Sequence, residues 1–203
     1  MRIDREQWRK EPLSILIVGV GGQGTILASR ILAGVAMREG QDVKVSEIHG
    51  MAQRGGSVVT QVRFGDAVAS PIIARGQADI ILAFEKLEAL RWLPYAKPGG
   101  TVLYSTQSIN PMPVITGAAE YPPDADRRIL ALFPHAVAVD ALGLAQRCGA
   151  VKAVNVVLLG LLSRFLPVEE EVWLEILRQI VPERFLEVNT AAFQTGRSSQ
   201  ENL

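Results

Sequence analysis

Cysteine is almost absent from this 203-residue chain, where Cys148 stands alone. No disulfide can close within the chain, which points to a reducing compartment such as the cytoplasm. A single thiol also cannot carry an iron–sulfur cluster, which as a rule takes several cysteine ligands. Histidine is nearly as scarce: His49 and His135 lie far apart, and no sequence-local set of metal ligands is present. Neither sign of charge dominates, because 21 Lys and Arg balance 21 Asp and Glu. No overall field therefore favours nucleic acid or an anionic membrane. Long hydrophobic runs are missing too. The most apolar region, "AVKAVNVVLLGLLSRFL", is interrupted by Lys152, Asn155 and Arg164, and it falls short of the roughly 20 apolar residues that a span requires. The start, "MRIDREQWRKEP", is charged and lacks the apolar centre of a signal peptide. A soluble cytoplasmic protein is expected.

Apolar residues make up 48% of the chain and charged residues 21%. That balance suits one compact domain over residues 1–203 with a substantial core. "LSILIVG" is a continuous apolar run of the kind that forms a strand buried on both faces. "TILASRILAGVAMREG" follows with helical spacing and a terminal glycine, and "DVKVSEI" alternates as a strand. Further strands are expected at "ADIILAF", "GTVLYST" and "HAVAVDA", and a hairpin turning at Gly65-Asp66 within "SVVTQVRFGDAVAS". Helices are expected at "EKLEALRWLPYA", "ADRRILALF" and "ALGLAQRCG". The stretch "QSINPMPVITGAAEYPPD" reads as a surface excursion. From about residue 151 to 196 three successive helices and no strand are expected. The whole predicts an α/β fold: a Rossmann-like, three-layer domain with a mostly parallel sheet, a hairpin insertion and a helical C-terminus.

Gly19, Gly21 and Gly24 form G-x-G-x-x-G between a strand and a helix, with Gly22 and Gln23 inside the turn. Such a turn lets a phosphate approach the free N–H groups at the helix start. Glu47 lies 23 residues after Gly24, close to the spacing of about 20 at which an acidic residue holds a ribose. The glycines could equally serve close packing of helix on sheet, and both readings stay open. A second polar segment, "SEIHGMAQRGGSV", follows the second strand. Arg54 offers a planar fork for a carboxylate or phosphate, His49 can move protons near neutral pH, and Gly55 and Gly56 permit close backbone approach. Gln53 stands beside them.

Elsewhere, His135 reads as a strand-end residue and Asp140 as a lesser site candidate. Asn155 lies in an apolar helix and needs a hydrogen-bond partner. Trp92 and Trp173 are read as packing residues, and Cys148 as having no redox role.

"GVGGQGTILASRILA" followed by "SEIHGMAQRGGSV" resembles the gamma-type subunit of the 2-oxoacid:ferredoxin oxidoreductases, in particular the indolepyruvate branch. The likeness continues through "VRFGDAVASPII", "ADIILAFEKLEALR", "KPGGTVLYST", "NVVLLGLL" and "AFQTG". It implies membership of an enzyme that oxidatively decarboxylates arylpyruvates, reduces ferredoxin and passes the acyl group to coenzyme A. Thiamine diphosphate, Mg and [4Fe–4S] clusters are then expected in a large partner subunit, with ferredoxin reached through it. The thiamine motif of that superfamily, Gly-Asp-Gly, is not met here by Gly65-Asp66-Ala67. No cofactor is expected on this chain alone, and no residue of it is assigned as catalytic. The resemblance places the Gly19–Gly24 loop, Glu47, His49, Gln53, Arg54, Gly55 and Gly56 on a ligand- or partner-facing surface. Two other readings are an NAD(P)- or FAD-binding oxidoreductase and a non-enzymatic nucleotide-binding or scaffold module.

Overall fold

The computed structural model describes residues 3, 5, 8, 11–49 and 55–199, with only the backbone of His49. One six-stranded sheet runs in the order β2-β3-β1-β4-β5-β6. Its strands are β1 Leu13–Val20, β2 Asp42–His49, β3 Ser57–Gly65, β4 Ala78–Ala83, β5 Ala96–Ser105 and β6 Val137–Val139. β3 is antiparallel to both of its neighbours, whereas β1, β4, β5 and β6 pair in parallel. β1 is buried along its whole length, as expected of a central strand covered on both faces.

The helices are α1 Thr25–Arg38, α2 Lys86–Trp92, α3 Met112–Ile115, α4 Ala125–Leu132, α5 Ala141–Arg147, α6 Val154–Ser163, α7 Glu170–Ile180 and α8 Leu186–Ser198. All but the short, exposed α3 fall into two layers, because successive β1 side chains point to opposite faces. Ile15 and Ile17 join α1 and α5 to α8 in the larger core. Leu16 and Val18 join α2 and α4 in the smaller one. Every residue of α6 is buried; it forms the centre of the expected C-terminal helical block.

The antiparallel insertion is present, but its turn is not at Gly65-Asp66. β3 is one strand ending at Gly65, and residues 66–77 contain no strand. Side chains take the place of a ladder there. Asp42 accepts from Val68 N, Gln61 accepts from Ile73 N, and Arg63 donates to the carbonyls of Ser70 and Ile72. Ile73 is thereby tucked into the smaller core. The hairpin is β2–β3 instead, so its connecting segment is the polar stretch that follows His49.

Candidate functional site

β1, β2, β4, β5 and β6 run the same way, so their carboxyl ends share one edge of the sheet, and antiparallel β3 begins at that edge. Open α/β sheets gather their ligand loops there. The glycine turn after β1 and the end of the β2–β3 connection are joined directly. Gly21 N donates to Gly56 O at 2.8 Å, and Gly55 N donates to Gly21 O at 3.3 Å. These bonds continue the β1–β3 ladder past Val20 and Ser57. Two segments that look independent in the sequence are therefore one surface.

Gln23 is held inside this surface. Its Oε1 accepts from Val20 N at 2.8 Å, while its Nε2 donates to Phe84 O at 2.9 Å and to Gln107 Oε1 at 3.2 Å. One amide thus fastens the end of β1 to the exits of β4 and β5, so its polar atoms are engaged by the protein itself. Gly24 is the N-cap of α1 in the left-handed conformation, with φ 82°, and no side chain caps the helix. Asn155 Nδ2 donates to Gly24 O at 3.2 Å, which satisfies the partner requirement of that buried amide. The first turn of α1 contains no acidic residue, and its leading N–H groups have no intrahelical acceptor.

These groups border a cleft of about 490 Å³ lined by Gly22, Gln23, Gly24, Leu27, Gln107, Lys152 and Asn155, among others. Leu27, Val151 and Lys152 also line an adjoining apolar cleft of about 350 Å³, which continues to Phe185. Val151 is 55% exposed and Phe185 46%. The arrangement suits an anionic group at the helix start with apolar surface beside it.

Glu47 does not reach the glycine turn. β3 lies between β2 and β1, which places Glu47 two strand spacings, about 10 Å, from β1. Its carboxylate accepts from Ser29 Oγ on α1 at 3.0 Å. A dinucleotide site needs the acidic residue on the strand next to the glycine turn, so this topology argues against that alternative. Gly19, one residue before the end of β1, pairs with Val58, and His49 ends β2 opposite the same residue. Gln53 and Arg54 lie outside the described residues.

Asp140 caps α5 by accepting from Gly143 N at 2.9 Å, and this accounts for it structurally. His135 borders a separate cleft with Pro98 and Phe133, ahead of β6. Cys148 Sγ lies 3.3 Å from Thr195 Oγ1. Trp173 is fully buried and stacks on Phe193.

A buried carboxylate pair beside the site went unread in the sequence. Glu85 is the N-cap of α2 and accepts from Glu88 N at 2.8 Å, Ile109 N at 3.0 Å and the Tyr121 hydroxyl at 2.6 Å. Glu88 accepts from Ser57 Oγ and from Trp92 Nε1, and pairs with Arg91 at 2.9 Å. Burial pushes the Glu88 carboxyl above its usual range. Burial, reinforced by its bond to Glu85, also raises the Tyr121 phenol. The available signal was "FEKLE", two glutamates three apart at a helix start, a spacing that suits capping.

A family described as pyruvate ferredoxin/flavodoxin oxidoreductase matches residues 14–199. Indolepyruvate oxidoreductase subunit IorB of Thermococcus kodakarensis is 42% identical over 195 residues, covering 94% of this chain and 96% of that protein. The IorB subunit of Archaeoglobus fulgidus is 40% identical over 189 residues, covering 91% and 93%. Among solved structures, the gamma subunit of a keto/oxoacid ferredoxin oxidoreductase from Geobacter sulfurreducens superposes with a TM-score of 0.67 at 26% identity, covering 91% of this chain and 95% of that one. Pyruvate oxidoreductase subunit PORC of Thermotoga maritima shares the fold, with a TM-score of 0.69 at 20% identity over 92% of this chain and 96% of that one.

Proposed function

Since the chain belongs to the pyruvate ferredoxin/flavodoxin oxidoreductase family, we propose that it is the small subunit of an arylpyruvate:ferredoxin oxidoreductase. The observation that carries this reading is the fusion of the glycine turn with the Gly55–Gly56 stem by two backbone bonds. In a chain similar to the IorB subunits along nearly its whole length, that joint surface is the one to meet ligand and partner.

The chemistry follows a division of labour between subunits. Thiamine diphosphate with Mg, and [4Fe–4S] clusters, would supply carbanion stabilisation and electron transfer from the partner subunit. The donor set of this chain fits that division, because its one cysteine cannot ligate a cluster that takes several thiolates. This chain would orient and enclose. Arg54 would hold an anionic group by charge-assisted bonds, with His49 and Gln53 beside it. The uncapped start of α1 would favour a second anionic group, such as a phosphate of coenzyme A. Val151 and Phe185 would meet apolar surface of the partner. The assembled enzyme would convert the 2-oxoacid to CO₂ and acyl-coenzyme A, with ferredoxin as electron acceptor.

The test is co-expression with a thiamine- and cluster-bearing large subunit, followed by viologen reduction with indolepyruvate, phenylpyruvate, pyruvate and 2-oxoglutarate in the presence of coenzyme A. Reduction that requires this chain and favours the arylpyruvates is expected. Full activity of the large subunit by itself, or firm binding of NAD(P)H or FAD by this chain alone, would overturn the reading.

A further inference from the structure

We propose that Ser57 and Glu88 are a positioning pair that fixes the Gly55–Gly56 stem, where β3 begins, against the glycine turn; the functional half of this inference rests on the reading given under Proposed function. This stem is tied to Gly21 by two backbone bonds, from Gly55 and to Gly56. Both bonds lie in the plane of the sheet, as a continuation of the β1–β3 ladder. Ser57, the next residue and the first of β3, adds a side-chain tie out of that plane, because its hydroxyl donates to Glu88 on α2.

Glu88 is built for that task. Only 4% of it is exposed, and a buried carboxylate is costly unless hydrogen-bonded and paired. Packing alone would be served better by an apolar side chain in the seven-residue α2. Here Trp92 Nε1 and the Arg91 guanidinium hold the carboxylate in place, leaving it as an acceptor directed at Ser57. The same helix start also orders the neighbouring loop: Glu85 accepts from Ile109 N and the Tyr121 hydroxyl. α2 thus anchors two loops of the carboxyl edge through two carboxylates, neither of which needs to touch a ligand.

The experiment compares Ser57→Ala, Ser57→Thr, Glu88→Gln and the Ser57→Ala/Glu88→Gln double variant in the assembled enzyme, with thermal unfolding of each. A positioning role predicts that Ser57→Ala lowers kcat/KM by about tenfold or more, beyond what the modest thermal destabilisation from one lost bond to the buried carboxylate accounts for. Ser57→Thr should restore activity. The double variant should be no worse than Glu88→Gln, because the pair acts as one unit. Wild-type kcat and KM in Ser57→Ala, or losses that simply follow thermal destabilisation, would overturn the proposal. Should Glu88→Gln fail to fold, the alanine and threonine variants decide it. Hydrogen exchange of the isolated chain supplies a readout independent of activity: Ser57→Ala should speed exchange at Gly55 to Val58 and leave β4 unchanged. Should the wild-type complex not oxidise 2-oxoacids, the functional reading fails, and unaltered exchange in Ser57→Ala would overturn the positioning pair.

Discussion

At the scale of single residues, Gly24 and Asn155 depend on each other. A Cβ at Gly24 would lie 2.6 Å from Asn155 Nδ2, on a backbone with φ +82°. Gly24→Ala therefore adds left-handed strain and displaces the amide that bonds Gly24 O. A loss of about 2–3 kcal/mol in urea unfolding is expected. Gly22 has φ +103° but open space around it, so Gly22→Ala should show the strain alone, about 1–2 kcal/mol. Equal losses at the two positions would contradict the role given to Asn155.

Glu88 makes a pH-dependent prediction. Its carboxyl is raised by burial, so the native state holds that proton more tightly than the unfolded chain does. The resulting stabilisation is complete below the ordinary glutamate range and is lost as pH rises through the raised value. Asp42 and Asp124, lowered by hydrogen bonds from Lys44 and Arg127, act in the opposite direction. They do so equally in wild type and Glu88→Gln. The stability of wild type minus that of Glu88→Gln should therefore fall as pH rises across this interval. A constant difference in chemical-denaturation curves would show the group to be unperturbed.

At the scale of elements, α6 and α8 cross in backbone contact. A Cβ on Gly160 would meet Phe193 O at 2.0 Å, and one on Gly196 would meet Val157 O at 1.9 Å. Neither carbonyl can step aside as a flexible side chain could. Gly160→Ala or Gly196→Ala should each cost about 3 kcal/mol, seen as a lower Tm with retained helicity. This crossing also explains why "NVVLLGLL" and "AFQTG" accompany each other: they are the two sides of one contact. Both helices were legible as apolar patterns, and so were the parallel strands. The β3 hairpin was misplaced because Gly65-Asp66 is a local turn signal. What decides the path after Gly65 is non-local, namely the side chains of Asp42, Gln61 and Arg63. Similarly, Gln23 reads as a polar loop residue, yet its acceptors and donors come from three separate strand ends. No sequence window contains that arrangement.

At the scale of the whole molecule, the helical block covers one face of the sheet, which shares the larger core with it. Among the described residues no helix is long and apolar enough to cross a membrane. The role proposed for Arg54, holding an anionic group in the assembled enzyme, is tested at this scale. Arg54→Ala should lower turnover of the complex by about ten- to a hundredfold, while the isolated chain unfolds as wild type. Unchanged turnover and coenzyme A dependence would remove Arg54 from the site.

The insertion of β3 between β1 and β2 also bears on how the chain folds. Of the paired strands that follow one another in the chain, β2–β3, β4–β5 and β5–β6, the first has the shortest connection; β1–β3 and β1–β4 require longer loop closures still. Short-range pairing forms fastest, so the hairpin should assemble early, with β1 docking later between β3 and β4. Substitutions across β2–β3 are then expected to slow refolding, and those across β1–β4 chiefly to speed unfolding. Stopped-flow kinetics showing the reverse would reject that order. On this order, the contact of Gly21 with Gly55 and Gly56 closes late in folding, so a nascent chain acquires its joined surface only after its central strand is in place.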